Sequence, residues 1–163
     1  MDITTARLEE VFKIHELIGK LEGLVQHPVH FYNIMIRYFG NTFFVAKEGD
    51  KIAGFVWGFI SQSDPEVLFL WQIGVTEEYR GNQLSRKLID SFTQAARDNG
   101  CTRIHATVEP ENIPSWKMFE KMGFKSITKD GIETITQNEK EAMVDYYGSG
   151  TNQFLYEYIP GES

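Results

Sequence analysis

The sequence predicts an α/β fold: a mixed sheet, flanked by helices, in which an antiparallel meander of strands is followed by a βαβ unit. The chain has 163 residues, 42% of them hydrophobic and 24% charged, which is enough for one core, whereas two domains would have marginal cores. Along the chain, apolar residues recur first at helical spacing and then at strand spacing, and in the second half the two spacings alternate. No linker rich in Pro, Gly and Ser interrupts the chain, and we expect one domain over residues 1–163.

The charge balance argues against one class of partner. The chain has 16 Lys and Arg against 23 Asp and Glu, a formal net charge of -7, which repels a nucleic-acid backbone and weakly favours a cationic partner such as an amine. Its one cysteine, Cys101, has no intramolecular disulfide partner, and the first residues do not resemble a signal peptide. No apolar stretch approaches the roughly 18 residues that cross a bilayer. We therefore expect a cytoplasmic protein that contacts neither membrane nor nucleic acid.

Two helices are predicted at the start of the chain, and each ends near a glycine, as helices often do. The second covers residues 30–39 and ends at Gly40, with an apolar face that we place on Phe31, Ile34, Met35 and Tyr38. The first ends near Gly23, and its apolar positions recur every three or four residues: Leu8, Val11, Phe12, Leu17, Ile18 and Leu21.

Three strands are predicted next, at residues 42–47, 52–60 and 67–75. The first two are rich in β-branched and aromatic residues and flank a short Glu-Gly-Asp turn, which is typical of a hairpin. The third follows Asp64 and Pro65, which mark a turn. Three consecutive strands with short connections form an antiparallel meander.

The second half alternates helix and strand. A strand, a helix and a strand in this short length are typical of a βαβ crossover, in which the second strand runs parallel to its partner and is covered by the helix. The predicted elements are, in order, a helix (84–97), a strand (103–108), a helix (115–121), a strand (124–127) and two closing strands (132–136 and 154–159) separated by a polar and aromatic connection (137–150).

A candidate phosphate-binding loop joins the third strand to the following helix. A helix N-terminus offers backbone N–H groups and the positive end of the helix dipole, while Gly81 lets the backbone approach an anion and Arg80 adds a charge. The alternative is an ordinary strand-to-helix turn, in which Gly81 is present only because the turn needs backbone dihedral angles that glycine adopts easily. The predicted loop residues are Arg80, Gly81, Asn82, Gln83, Leu84 and Ser85.

A second motif, N-x-x-S-x-x-x-F-E-K-x-G-F, runs from Asn112 through Ser115 and Phe119 to Phe124. Together with the loop, this motif resembles the GNAT superfamily of acetyl-CoA-dependent N-acetyltransferases, and the resemblance covers nearly the whole chain. It implies a GNAT-like fold with a central splayed sheet. It also implies acetyl-CoA as co-substrate and direct attack by an amine. From the residues themselves we expect no metal, because the His27 and His30 pair has no third ligand nearby, and a ternary complex without an acyl-enzyme, because Cys101 and the serines lack a base partner. A homodimer is common in this family.

The resemblance also implies roles for individual residues. The pantetheine arm of acetyl-CoA would add like a strand to Ile73, Gly74 and Val75, and the backbone N–H near Ile73 would polarise the thioester carbonyl. The loop would hold the pyrophosphate. The second motif would place its residues beside the cofactor thiol: Asn112, Ser115 and Phe119.

The sequence departs from the family pattern at three positions. Gln83 and Ser85 replace small residues of the phosphate loop, although both are polar and can donate hydrogen bonds to a phosphate. Phe119 stands where many members have the tyrosine that returns a proton to the departing thiolate. Either Tyr156, Tyr146, Tyr147 or solvent then serves, and we take Tyr156 as the catalytic candidate. Glu109 is the leading candidate for the base that deprotonates the amine. The alternative is that Glu109 is only a solvated surface residue.

A closer resemblance within the family is to the diaminobutyrate acetyltransferases of the ectoine pathway, on the segments 69–75 and 110–119. It implies that Trp71 and Gln72 line the acceptor pocket; the alternative for Trp71 is a core residue. Val25 stands where those enzymes have an acidic residue, and residues 150–153 lack their His-Glu pair. The expected acceptor is therefore a primary amine of a small molecule, whether amino acid, diamino acid or polyamine. The alternatives are a protein N-terminus or lysine, and a non-catalytic acyl-CoA sensor.

Overall fold

The computed structural model describes residues 1–81 and 83–161. Contacts divide the chain into two compact units. The N-terminal unit is Met1–Cys101, and the C-terminal unit begins at Thr102. The expectation of a single domain stays a prediction.

The N-terminal unit contains a four-stranded antiparallel sheet. Its strands follow one another in space as in sequence: β1 (Asp2–Thr5), β2 (Phe43–Glu48), β3 (Lys51–Ile60) and β4 (Val67–Val75). The predicted meander is confirmed. Strand β1 was not predicted, since four residues are too few to show an alternating pattern.

Three helices complete this unit: α1 (Val11–Lys20), preceded by a 3₁₀ turn, α2 (Val29–Phe39) and α3 (Leu84–Asp98). Helix α1 ends before Gly23 because Leu21 at its C-cap is already extended, with φ -88° and ψ 121°. Helix α3 matches the prediction within one residue.

The predicted apolar face of α2 is confirmed at Phe31 and Met35, which pack against the core, and wrong at Ile34 and Tyr38. The helix buries Tyr32 and Ile36, whereas Ile34 and Tyr38 are 44% and 76% exposed. Both pairs are spaced by four residues, so helical periodicity alone cannot decide between them. The sheet decides, because Tyr32 and Ile36 join the core that α1 and α2 form with β2 and β3.

The two faces of the N-terminal sheet carry different helices. Phe55 and Trp57 belong to the core under α1 and α2. Gly54 points to the other face, where a Cβ atom would lie 3.2 Å from Leu88 of α3. Among the described residues, no helix is long and apolar enough to span a membrane.

Up to residue 161, the C-terminal unit has one helix and five strands: β5 (Arg103–Val108), α4 (Ile113–Lys121), β6 (Lys125–Ile127), β7 (Thr134–Gln137), β8 (Lys140–Met143) and β9 (Phe154–Tyr158). Strand β9 pairs antiparallel with both β5 and β6, which therefore run parallel to each other. The predicted direction of the crossover is confirmed, but the hydrogen-bonded partner of β6 is β9. Strands β7 and β8 form a hairpin, and β8 lies within the polar and aromatic connection predicted at residues 137–150.

Candidate functional site

A β-bulge in the middle of β4 determines where two predicted site residues point. Trp57 of β3 pairs with Gln72, but the next residue, Gly58, pairs with Leu70, which leaves Trp71 as an extra residue in β4. Both Trp71 and Gln72 contact Trp57 and so lie on one face of the sheet, although neighbouring residues of a regular strand point to opposite faces.

The bulge depends on the glycine opposite it. A Cβ atom at Gly58 would lie 1.8 Å from the carbonyl oxygen of Phe69 and 3.0 Å from the Cα of Leu70. Both are backbone atoms and cannot rotate away, so the strands approach this closely only because residue 58 has no side chain.

Trp71 and Gln72 differ in exposure. Trp71 is 46% exposed, and its ring stacks on the buried ring of Trp57, with 5.7 Å between centroids and 19° between planes. Gln72 is buried. Its Oε1 accepts a hydrogen bond from Trp57 Nε1 at 3.2 Å, and its Nε2 donates to the main-chain oxygen of Val25 at 3.0 Å.

The connection between α1 and α2 runs along this part of β4. Leu21 and Leu24 lie so close to Gly74 that a Cβ atom there would be 2.6 Å and 3.0 Å from their methyl carbons. At the other end of the connection, the His27 ring lies 6.4 Å from Trp71. The result is a half-open aromatic surface, here named the aromatic wall, which consists of His27, Phe31, Trp57, Phe59, Phe69 and Trp71.

The sequence signalled this wall only in part. In the sequence, the alternation of Phe55, Trp57 and Phe59 is most simply a core pattern, and His27 precedes the second predicted helix. Trp57 is indeed core, 1% exposed, but it also supports Trp71. A histidine and several aromatics in the predicted inter-helix and strand segments were the available signal. Their proximity depends on tertiary packing and could not be derived from spacing.

Ile73, Gly74 and Val75, the predicted contacts of the pantetheine arm, follow the bulge directly. They pair with Val56, Phe55 and Gly54 of β3 along one edge of β4. Val75 is buried, while Ile73 and Gly74 are partly buried. The regular pairing fixes the direction of the backbone N–H and C=O groups on which the predicted oxyanion contact depends.

The predicted phosphate loop begins after a 3₁₀ turn at Glu77–Tyr79. Arg80 is exposed, and its Nε donates to the carbonyl oxygen of Val75 at 3.4 Å. Gly81 has a φ of 79° and Gln83 a φ of 60°, both in the left-handed region. Asn82 lies outside the described residues. The loop therefore turns sharply before α3 begins, with an arginine and a helix N-terminus side by side.

The left-handed backbone at Gln83 shows why the family pattern has a glycine at this position. The position at which the pattern has a glycine is one where an L side chain is strained, by about 1 kcal/mol. Next to it, Leu84 is buried and Ser85 is partly buried at the start of α3. The loop keeps the glycine-type conformation although its residue is glutamine.

The C-terminal unit holds the other predicted residues around α4. Glu109 follows β5 with an exposed side chain, and its carbonyl oxygen accepts the Asn112 N–H at 2.9 Å. Asn112 is the N-cap of α4, and both it and Ser115 are partly buried. Trp116 anchors the helix by donating from its Nε1 to the carbonyl oxygen of Pro110 at 3.1 Å.

Phe119 lies in a closed aromatic cluster under α4. It is 2% exposed and contacts Phe124 and Tyr156, at centroid distances of 5.0 Å and 6.1 Å. The Tyr156 side chain is fully buried, and its hydroxyl donates to Glu120 Oε2 at 2.6 Å. Burial, and then the bond to Glu120, raise the pKa of Tyr156 far above its ordinary value. This hydroxyl holds its proton tightly.

The alternative hydroxyls have different partners. Tyr147 is 57% exposed, with its Oη 2.8 Å from Oγ1 of Thr107. Tyr146 packs against it, with 4.9 Å between ring centroids, and accepts a hydrogen bond from Lys129 Nζ at 2.9 Å. Of the three tyrosines, Tyr147 has the hydroxyl-bearing side chain that is most open to solvent.

Two further side chains have structural environments. His105 Nε2 lies 2.9 Å from Oε2 of Glu157, its partner across β5 and β9, and His105 is therefore a hydrogen-bonded sheet residue. Cys101 is buried, and burial raises the pKa of its thiol, which lowers its reactivity. The described residues contain no group of three or more His, Cys, Asp or Glu side chains arranged to hold a metal ion.

Comparisons with known proteins agree with this geometry. Residues 8–124 match the sequence profile of the acetyltransferase (GNAT) family. An L-2,4-diaminobutyric acid acetyltransferase of Methylotuvimicrobium alcaliphilum is 31% identical over 140 residues, which is 81% of each protein. The protein of the same name from Halalkalibacterium halodurans is 34% identical over 115 residues, 71% of this chain and 60% of that protein.

A solved structure shares the fold. Diaminobutyrate acetyltransferase EctA from Paenibacillus lautus, in complex with L-2,4-diaminobutyric acid and coenzyme A, matches with a TM-score of 0.73 and 22% identity. The match covers 99% of this chain and 96% of that one. The predicted fold class is thereby confirmed.

Proposed function

Because the chain belongs to the acetyltransferase (GNAT) family, we propose that it transfers the acetyl group of acetyl-CoA to a primary amine of a small molecule, with a diamino acid as the favoured acceptor. Family membership confirms the predicted enzyme class, an acetyl-CoA-dependent N-acetyltransferase. The choice of a small molecule as the acceptor goes beyond this enzyme class and is the part of the proposal that needs its own argument.

The observation that carries this part is the half-open position of Trp71. The residue is 46% exposed, yet its ring is fixed by stacking on Trp57. A fixed aromatic face attracts an ammonium group, by about 0.5–2 kcal/mol depending on desolvation. The formal charge of -7 also favours a cationic acceptor. The relatives named diaminobutyric acid acetyltransferases support an acceptor with two amino groups and a carboxylate.

The cofactor residues enter the proposal as a set with distinct tasks. Arg80 and the N-terminus of α3 supply the positive charge for a diphosphate, and the left-handed backbone at Gly81 and Gln83 bends the loop around it. We propose Asn82, Leu84 and Ser85 with them. The backbone of β4 from Ile73 to Val75 pairs with the pantetheine arm. From the second motif we propose Asn112, Ser115 and Phe119 as cofactor contacts.

The reaction needs two proton transfers. The attacking amine forms the new C–N bond and loses a proton, while the C–S bond breaks and the thiolate gains one. We propose Glu109 as the group that takes the proton and Tyr156 as the group that supplies one. Glu109 suits its task by exposure, since its carboxylate is open to solvent. Tyr156 serves only if its hydroxyl leaves Glu120.

A panel of acceptors tests the proposed function. Release of free thiol from acetyl-CoA is measured with 2,4-diaminobutyrate, ornithine, lysine, putrescine and short peptides with free N-termini. We expect the highest kcat/KM with a small diamino acid. A preference for peptides would favour the protein N-acetyltransferase alternative. Binding of acetyl-CoA without turnover of any acceptor would favour the acyl-CoA sensor.

The proposed base has its own test. Replacing Glu109 by Gln keeps the shape and removes the proton acceptor, and we expect kcat/KM to fall about 100-fold at neutral pH. The fall should shrink at high pH, where more of the amine is already neutral. Glu111→Gln, a change at another exposed glutamate of the same loop, is the control. Full activity of Glu109→Gln at every pH would remove Glu109 from the mechanism.

A further inference from the structure

Gln72 is a polar side chain in an apolar place. It is 7% exposed and lies between the aromatic wall and the connection from α1 to α2. A buried amide is costly unless its hydrogen bonds are made. Both ends of Gln72 are bonded, the oxygen to Trp57 and the nitrogen to the Val25 carbonyl.

The two bonds connect three separate elements. Trp57 belongs to β3, Gln72 to the bulge of β4, and Val25 to the connection between the helices. Trp57 is stacked on Phe43 on one side, at 5.8 Å, and on Trp71 on the other, at 5.7 Å. A hydrogen bond to its Nε1 fixes the rotation of its ring within this stack. The orientation of Trp71 is therefore linked to Gln72 through Trp57.

Val25 shows why the second bond matters. Its side chain is 66% exposed and offers the connection little anchoring by burial. The main-chain bond to Gln72 Nε2 holds the middle of the connection, while Leu24 packs on Gly74 and His27 lies beside Trp71. Without this bond the connection keeps its apolar contact at Gly74 but loses its polar tie to the bulge.

We propose that Gln72 is a positioning residue for the acceptor amine: it fixes Trp71 and the connection between α1 and α2 as two sides of one acceptor pocket, and its amide does not itself hold the acceptor. This inference rests on the proposed function and revises the direct contact that the sequence suggested for Gln72. The oxygen and one nitrogen hydrogen are already engaged within the protein. The specificity of the pocket then follows from its shape.

Two substitutions separate positioning from mere packing. Gln72→Met keeps the length of the side chain and leaves Trp57 Nε1 and the Val25 carbonyl without their partner. We expect the KM for the acceptor to rise about tenfold and the KM for acetyl-CoA to stay within twofold. Gln94→Met is the matched control, because Gln94 is an exposed residue of α3 whose amide bonds only to Asp98 among the described residues.

Gln72→Glu gives a readout that a packing role would not change. The protonated carboxyl can accept from Trp57 and donate to the Val25 carbonyl, whereas the carboxylate can only accept. Burial raises the pKa of such a carboxyl above that of an exposed glutamate. We expect its acceptor KM to approach the wild-type value at low pH and to exceed it increasingly as the pH rises. Comparison with the wild type at each pH removes the effect of protonation of the amine.

The outcomes distinguish this inference from the proposed function. If the wild type acetylates no acceptor, the proposed function and this inference are both overturned. If the wild type is active, the inference is overturned when folded Gln72→Met retains the wild-type acceptor KM, when both KM values rise together, or when Gln72→Glu shows no added pH dependence. Near-ultraviolet circular dichroism without ligand reports the Trp57 and Trp71 stack directly, and we expect Gln72→Met to change it and Gln94→Met to leave it unaltered.

Discussion

Two aromatic clusters of this protein each contain one buried polar side chain, and they differ in what surrounds it. In the N-terminal unit, Gln72 lies beside Trp71, which is 46% exposed. In the C-terminal unit, Tyr156 lies against Phe119, which is 2% exposed, and its hydroxyl bonds to Glu120. The first cluster is open and the second is closed.

The difference begins in the backbone. In β9, regular alternation places Phe154 and Tyr156 under α4, where the helix covers them. In β4, the bulge adds Trp71 to the face that already carries Gln72, and one of the two remains uncovered. An exposed, rigid aromatic ring next to a satisfied buried amide suits the proposed acceptor pocket. A covered ring with a satisfied hydroxyl has the environment of a core residue, and the proposed role of Tyr156 as proton donor requires its hydroxyl to leave Glu120.

The largest effect is expected from a substitution that disrupts the bulge on which the open cluster depends. Gly58→Ala places a methyl group 1.8 Å from the Phe69 carbonyl oxygen, and β3 and β4 must separate. We expect the free energy of unfolding, measured by urea denaturation, to fall by about 3 kcal/mol or more.

Gly40→Ala is the control for this change. A Cβ atom at Gly40 meets nothing within 4 Å, and its φ of -63° suits any residue. We expect stability to be unchanged or raised by up to about 1 kcal/mol. A Gly58→Ala protein as stable as Gly40→Ala would show that the bulge is not formed as described.

A second change separates two tasks within the N-terminal unit. Arg80→Ala removes the guanidinium from the phosphate loop and leaves the aromatic wall intact. We expect the KM for acetyl-CoA to rise about tenfold, equivalent to about 1.4 kcal/mol, and the acceptor KM to stay within twofold. The rise should shrink at high salt, because the charge is exposed. Arg37→Ala, at an exposed arginine of α2, should change neither constant, and an unchanged cofactor KM in Arg80→Ala would refute the loop assignment.

The sequence predicted the bounds of individual helices and strands better than the pairing between strands. The bounds of β4 and β5 match the prediction, because each is a run of β-rich residues between clear breaks. The bulge at Trp71 could not be predicted, since it depends on Gly58 in a different strand. The insertion of β9 between β5 and β6 is likewise a long-range pairing. At Gln83 the motif did carry the signal, because a glycine position in the pattern predicts the left-handed backbone that the structure shows.

The smallest expected effect tests whether the closed cluster is only structural. Tyr156→Phe keeps the ring and removes the bond to Glu120, and we expect the free energy of unfolding to fall by about 1 kcal/mol at pH 7. The pKa of Tyr156 is raised in the folded state, so the folded protein retains this proton while the unfolded chain loses it above about pH 10. Wild-type stability should therefore fall more steeply than that of Tyr156→Phe above pH 10, by at most about 1.4 kcal/mol per pH unit. Identical slopes would mean that the hydroxyl is not buried as described.

The value of kcat decides the catalytic proposal separately: a fall of about 100-fold is expected of a proton donor, whereas a hydroxyl that only holds α4 to β9 leaves kcat unchanged.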